Sequence, residues 1–368
     1  MKTLAIIGST GSIGLSSLNI FKKNKKNLKL VYLAAHSNLK KLQTQVKKYK
    51  PQKYFLLSEN MNSKLPKELD KLDNILKNKK KIDYVISGMS GYDALNINFK
   101  LVKIAKNLLI ANKETIICGG HIFLNYAKKN NCNIIPIDSE HYCLHYFFKN
   151  FKLKKLIDKV FLVASGGPFF NKKINYNEKI SKVIKHPIWS MGKKISIDSS
   201  NFSNKVLELF EAKILFKIPS SKIKIIVEQT SHFHAIIKLK NKLYFPILHF
   251  PKMELPISDA MNQSSKIDFN IYNVNTSLRK PDTKKFPIIK LGYEILNKTN
   301  HAGMILFTVF NERLGKMYLN NQIKYGDISK ILVKLFRKKN VRNKSQQKIK
   351  TKSDIKSFIS YAQNLKIL

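Results

Sequence analysis

The feature that most narrows the possible folds is an alternation in the first 140 residues. Short apolar runs, "TLAIIG", "LKLVYLAA", "KYFLL", "DYVIS", "NLLIA" and "CNIIPI", are separated by mixed segments of helix length. Near-continuous apolar runs suit strands covered on both faces, and the segments between them supply the crossovers that parallel pairing needs. An α/β domain with a mainly parallel sheet is expected. From about residue 159 the pattern changes to "KVFLVAS", "KIKIIVEQ", "FHAIIKLK" and "LYFPILHF", with one long helix at 200–216 before the last three. That order reads as an α+β domain. Residues 265–287 are polar, carry Pro281 and Pro287, and read as a linker. Helical spacing at 288–297, 302–321, 327–339 and 352–366 predicts a C-terminal helical domain, with the Lys-rich "RNKSQQKIKTKSD" as a loose connection. The 368 residues are too many for one ordinary core, and the expected division is 1–138, 139–264, 265–287 and 288–368.

The first apolar run leads into "GSTGSIG", which sets Gly8, Gly11 and Gly14 between a strand and a helix, around Ser9, Thr10, Ser12 and Ile13. Glycines there allow a tight turn and close approach to a pyrophosphate, and a helix N-terminus offers open N–H groups. A purely structural turn fits the same spacing. The second run ends in "AAHSN", without an acid to hold a ribose 2′-hydroxyl. Ser37, Asn38 and Lys40 suit a 2′-phosphate instead, which favours NADP over NAD.

"PIDSEH" places Asp138 and Glu140 where a buried strand stops, in a chain with 68 Lys and Arg against 23 Asp and Glu. Carboxylates at i and i+2 of an extended segment point the same way, and they repel unless a cation lies between them or one keeps its proton. A solvated loop explains the pair equally well. "ANKET" sets Lys113 after a strand, and "ASGGPF" offers the Ser165 hydroxyl and backbone N–H groups in a Gly-Gly turn. The segment "HPIWSMGKKISIDSSNFSNKVLELFEA" holds the only tryptophan, Trp189, beside Ser190, Met191 and Gly192, in a stretch that reads as a lid or as a buried anchor. Beyond it, Asn204, Lys205 and Glu208 fall within one helical arc, with Val206, Leu207, Leu209 and Phe210 opposite. An amphipathic helix with a solvated face gives the same pattern, and Glu211 on the polar side is expected to be dispensable.

Composition decides between partner classes. A net charge of +45 raises nucleic-acid binding, yet only four arginines occur and lysine is spread over nearly every segment. That spread suits codon bias rather than a built patch, so no nucleic-acid partner is expected. No apolar run is long enough to cross a bilayer, and the chain opens almost directly on a strand-like run, so neither a membrane nor a leader peptide is expected. Cys118, Cys132 and Cys143, an odd number without CxxC spacing, fit a reducing cytoplasm.

Taken in order, "GSTGSIG", "ANKE", "PIDSEH", "SGGPF", "HPIWSMGKKISIDS", "NK" with Glu208, and "FNE" at 310–312 resemble the 1-deoxy-D-xylulose 5-phosphate reductoisomerase family along almost the whole chain. The resemblance implies an α/β protein with an N-terminal Rossmann-like NADPH domain, a central α+β catalytic domain and a C-terminal helical bundle, assembled as a homodimer. It implies a divalent cation, Mg²⁺ or Mn²⁺, on Asp138, Glu140 and Glu208, with Lys113 and Ser139 beside it. The phosphate of a sugar phosphate substrate would lie among Ser165, His186, Ser199, Asn204 and Lys205, under a loop carrying Trp189 and Met191. Asn112, Glu114, Gly192 and Met253 would join the glycine loop around NADPH. The implied reaction couples a retro-aldol and aldol rearrangement to hydride delivery, giving 2-C-methyl-D-erythritol 4-phosphate.

Three departures from the family pattern touch the site. Glu228-Gln229-Thr230-Ser231 stands where "HPQS" is usual, His36 replaces a common Gly, and "VFNE" replaces "AANE". His232 and His234 nearby read as structural. Two rivals remain at the level of sequence: another NADP-dependent dehydrogenase sharing only the first domain, and a degenerate basic nucleic-acid-binding protein.

Overall fold

The computed structural model describes residues 1–57, 80–189, 191–264, 272, 274 and 276–367. Ser190 and the stretch 265–271 of the expected linker lie outside these residues. The chain divides into two compact units, one of Met1–Thr115, Phe123–Tyr142 and Lys252–Ile267, the other of Ile116–Ile122, Cys143–Pro251 and Asp268–Leu368.

In the first unit the six apolar runs are strands β1 (Lys2–Ile7), β2 (Leu28–Ala35), β3 (Lys53–Leu56), β4 (Ile82–Ser87), β5 (Ala105–Ile110) and β6 (Asn133–Pro136). All pair in parallel, in the order β3-β2-β1-β4-β5-β6. The chain order reverses direction between β1 and β4, so the ends of these two strands form the switch point where such sheets bind ligands. Helices α1 (Ser12–Lys23), α2 (Leu39–Tyr49), α3 (Ala94–Ile104), α4 (Lys113–Lys129) and α5 (Ser139–Asn150) begin after β1, β2, β4, β5 and β6. Leu4, Ile6, Leu33, Ile86 and Leu109 are fully buried on the sheet, and each such side chain contributes about 1.5–3 kcal/mol. A much later segment of the chain returns to this core through Ile257 and Met261.

The second unit is built on a four-stranded sheet, β10-β9-β7-β8, of β7 (Ile157–Ala164), β8 (Ile223–Val227), β9 (Phe233–Leu239) and β10 (Tyr244–Leu248). β7 and β8 are parallel, while β9 runs against both β7 and β10. The crossover from β7 to β8 carries α6 (Ile180–Val183), α7 (Lys193–Ser200) and α8 (Ser203–Phe216). The single helix expected at 200–216 is broken, because Phe202 takes a left-handed φ of 68° and buries its ring 4.5 Å from that of Phe286. After α9 (Glu254–Ala260), which belongs to the first unit, come α10 (Pro287–Lys298), α11 (His301–Leu319), α12 (Tyr325–Arg337), α13 (Lys339–Ser345) and α14 (Lys352–Asn364).

Helix α11 is buried on most of its circumference and packs against α12, α13 and α14. The Lys-rich stretch expected to be loose is helical up to Ser345. Val341, just before the stretch, is fully buried, and the Ser345 carbonyl accepts the Asn300 N–H at 3.2 Å. Among the described residues no helix is long and apolar enough to cross a membrane.

Candidate active site

In the first unit the glycine loop closes at the switch point. Gly8 has φ 87°, and a Cβ there would lie 2.8 Å from the carbonyl carbon of Gly88, just beyond β4. A Cβ on Gly14 would lie 2.4 Å from Gly8 O, so the turn needs glycine at both ends. Gly11 is the N-cap of α1 and offers no side-chain bond, and the first turn has no acid, leaving the N–H groups of Ser12 and Ile13 for an anion. Ser9 faces inward: its N–H donates to Ala34 O at 2.7 Å and its hydroxyl to Gln45 Oε1 at 2.7 Å. It shapes the loop and does not present its hydroxyl to a ligand. Asn38 caps α2 by accepting the Lys41 N–H at 3.0 Å, and Lys41 Nζ donates to Thr10 O at 2.8 Å, tying α2 to the glycine loop. Ser37 and Lys40 are exposed beside them.

The same unit holds "ANKE" and "PIDSEH". Asn112 caps α4 by accepting the Thr115 N–H at 2.8 Å and donates to Glu114 Oε2 at 2.9 Å. Lys113, which opens α4 and is buried, sets its ammonium 3.4 Å from Asp138 Oδ1. The extended i, i+2 spacing expected for the two acids is not what the chain adopts. β6 stops at Pro136, Asp138 O accepts the Tyr142 N–H at 2.7 Å, and Glu140 lies in the first turn of α5. The carboxylates are gathered by a helix start, whose dipole favours negative charge. His141 Nδ1 stands 3.2 Å from Asp138 Oδ2, and Ser139 donates to Glu140 Oε2 at 2.5 Å. Met253 is partly buried against the core of the unit, just before α9.

In the second unit "SGGPF" follows β7. Gly166 and Gly167 have φ of 85° and 65°, and a Cβ on Gly167 would lie 2.8 Å from Ser199 O, so the turn lies against the end of α7. Ser165 Oγ is 2.9 Å from His186 Nε2. His186 Nδ1 accepts the N–H groups of Ile188 and Trp189 at 3.1 and 2.9 Å. The proton of the neutral ring is therefore on Nε2, donated to Ser165, whose own hydroxyl proton is left for an outside acceptor. Burial pulls the His186 pKa down to about 4, which keeps the ring neutral. Trp189 is half-buried, edge-on to His234 with centroids 6.2 Å apart, and Met191 and Gly192 precede α7. His234 is itself buried and stacked on His249 at 3.7 Å, which fits the structural role expected of it.

Helix α8 is where expectation and structure differ most. Lys205, Glu208 and Glu211 are all buried, so the helix has no solvated acidic face and Glu211 is not a surface residue. Asn204 Nδ2 donates to Glu208 Oε1 at 2.5 Å, while Lys205 Nζ reaches Glu208 Oε2 at 2.5 Å and Val163 O at 2.7 Å. Two residues that spacing did not single out are Asp198 and Asn311. Asp198 is buried between Lys194 Nζ at 2.6 Å and Asn311 Nδ2 at 2.9 Å. Both lie in stretches that carried the family resemblance, "HPIWSMGKKISIDS" and "FNE". The Glu228 departure is accommodated: burial raises its pKa, but hydrogen bonds from the Thr276 hydroxyl and the Thr230 backbone and side chain outweigh that and lower it.

A parallel sheet with a glycine turn at its switch point, joined in one chain to buried lysine, asparagine and carboxylate side chains, defines a dinucleotide-dependent α/β oxidoreductase acting on a small anionic substrate. The model of 1-deoxy-D-xylulose 5-phosphate reductoisomerase matches residues 4–120, that of its C-terminal domain matches 134–216, and that of the DXP reductoisomerase C-terminal domain matches 248–365. The chain belongs to the 1-deoxy-D-xylulose 5-phosphate reductoisomerase family. The Pelagibacter ubique (strain HTCC1062) member is 37% identical over 358 residues, with 91% of each chain covered. The Clostridium novyi (strain NT) member is 33% identical, covering 99% of this chain and 100% of its own. A crystal structure of DOX-P reductoisomerase in complex with NADPH, fosmidomycin and magnesium superposes with a TM-score of 0.88 at 26% identity, covering 99% of this chain and 97% of that one.

Proposed function

We infer that the chain converts 1-deoxy-D-xylulose 5-phosphate to 2-C-methyl-D-erythritol 4-phosphate with NADPH and a divalent metal, the reaction of its family in isoprenoid synthesis. The observation that carries this is membership along the whole chain, from residue 4 to residue 365, which a dehydrogenase sharing only the first domain would not give.

The chain's own residues fit both groups. For NADPH we assign the loop Gly8, Thr10, Gly11, Ser12 and Ile13, where a Cβ at Gly8 would collide with the Gly88 backbone and the N-terminus of α1 is uncapped. Ser37 and Asn38 are assigned to the 2′-phosphate end, and Asn112, Glu114, Gly192 and Met253 to the rest of the cofactor. For the cation we assign Asp138, Glu140 and Glu208, an all-oxygen set suited to hard Mg²⁺ or Mn²⁺. When bound, the metal supplies Lewis acidity toward the ketone and the nicotinamide supplies hydride.

The remaining roles belong to this chain. Lys113, held at Asp138, keeps a positive charge beside the carboxylates, where it can steady a developing oxyanion together with Ser139. Ser165, with its proton directed outward by His186, donates to a phosphate oxygen, and Ser199, Asn204 and Lys205 complete that subsite. Trp189 and Met191 cover the substrate and exclude water from a reactive fragment pair. We also propose a homodimer in the cytoplasm, where the buried thiols of Cys118, Cys132 and Cys143, none in a disulfide, would stay reduced. The functional division is 1–138 for cofactor, 139–264 for catalysis and 288–368 for the helical support, joined by 265–287.

The test is substitution at the assigned cation ligands. Glu208→Gln and Asp138→Asn are expected to raise the Mg²⁺ concentration for half-maximal activity at least about tenfold, leaving NADPH affinity unchanged. Glu294, exposed on α10, serves as the control in place of the buried Glu211. If Glu208→Gln is as silent as Glu294→Gln, the carboxylate assignment is wrong.

A further inference from the structure

The second unit contains a cavity of about 530 Å³ lined by none of the residues assigned above to cofactor, cation or substrate. Lys173, Lys284, Lys285 and Lys330 line it, from three separate parts of the chain, and no acidic side chain does. The nearest acids, Asp282 and Asp327, stand outside the wall, where Asp282 offsets part of the charge of Lys284 and Lys285 and Asp327 part of that of Lys330. Asp282 accepts the backbone N–H groups of Lys284 and Lys285 at 2.8 and 3.1 Å, and Asp327 accepts the Lys324 N–H at 2.9 Å and the Tyr176 hydroxyl. Tyr325, also on the wall, stays neutral because burial pushes its phenol well up, and its hydroxyl pairs with Ser200 Oγ at 2.9 Å.

In a chain with lysine in nearly every segment, single surface lysines need no explanation. Four around one cavity whose wall carries no acidic side chain are different, because their summed positive potential exceeds what the two acids outside the wall offset and favours an anion there. The site is also held in place. The Asp282 turn fixes Lys284 and Lys285, and Lys285 Nζ donates to Phe170 O at 2.9 Å with further N–H groups still to give. The rest of the wall is apolar, with Ile174, Phe286 and Pro287 beside the Tyr325 ring. The volume lies in the range of roughly 300–1,000 Å³ usual for small-molecule sites.

We propose that this cavity is a second anion site of the chain, taking a small phosphate or diphosphate ester whose apolar body rests on Ile174, Phe286 and Pro287 while its phosphate meets the four lysines. Such a site is independent of the catalytic reading. It is tested by calorimetric titration of the full chain with monohexyl phosphate and with inorganic phosphate. Each titration is run on the chain alone and again with NADPH, magnesium and a phosphonohydroxamate inhibitor filling the catalytic site.

Monohexyl phosphate is expected to bind in both states, at least about fivefold more tightly than inorganic phosphate, and Lys284→Ser with Lys330→Ser should weaken it at least about tenfold. Lys47→Ser with Lys48→Ser, exposed lysines at the end of α2, should leave it unchanged. Loss of binding once the catalytic site is filled overturns the proposal, because the ester would then have been occupying the substrate site. Equal affinity in the two double variants, or for the two probes, overturns it as well.

Discussion

His186 shows how a single side chain is set by its surroundings. Its folded pKa, about 4, lies below the ordinary value of 6.5 because burial penalises the charged ring. The unfolded chain therefore binds more protons, so the contribution of this residue is complete above pH 6.5 and is lost as pH falls from 6.5 toward 4. Urea unfolding is expected to show a lower midpoint at about pH 5 than at about pH 7, with a smaller drop in His186→Asn. An equal drop in both proteins would show that other groups carry the acid sensitivity.

The motif residues were legible in the sequence at this scale, but their environments were not. Glu208 and Lys205 stood out by helical spacing, while their burial and mutual pairing depend on what covers α8, which spacing cannot report. Glu211 shows the cost. On a helical wheel it shares the polar arc of Glu208, yet both are buried, because the elements packed around a helix, which spacing does not report, decide whether its polar arc meets solvent.

Among the elements, the parallel strands were the most legible, because each is an apolar run closed by turn residues, and β1, β2, β4 and β5 are largely buried on both faces. Breaks between elements were the least legible. The stop between α7 and α8 is a left-handed Phe202, held by burial against Phe286, and Phe carries no local signal for that conformation. The helix start at Ser139 was hidden in the same way, since "PIDSEH" reads as a strand end until Asp138 is seen accepting the Tyr142 N–H.

The glycine loop gives the element-scale prediction. Gly14→Ala would force a methyl to within 2.4 Å of backbone atoms of Gly8 and Ser9, which cannot be relieved by turning a side chain. NADPH affinity is expected to fall at least about tenfold, measured by fluorescence titration. Gly315→Ala meets open space within α11 and should leave NADPH affinity unchanged while adding about 0.5–1 kcal/mol of stability. An unaltered NADPH affinity in Gly14→Ala would show that the loop does not hold the cofactor.

At the scale of the whole molecule, the ordered series of motifs carried the family reading, and the matches from residue 4 to residue 365 bear it out. The net charge of +45 carried much less, because lysine is distributed along the chain. The central claim is that one chain couples a metal-dependent rearrangement to NADPH oxidation. It is tested most directly by following NADPH absorbance after adding 1-deoxy-D-xylulose 5-phosphate, with Mg²⁺ present and then with Mg²⁺ removed by a chelator. The account predicts one NADPH oxidised per substrate consumed with Mg²⁺, and arrest when the metal is removed. Substrate-dependent oxidation that continues unchanged in chelator, or none at all with Mg²⁺, would contradict it.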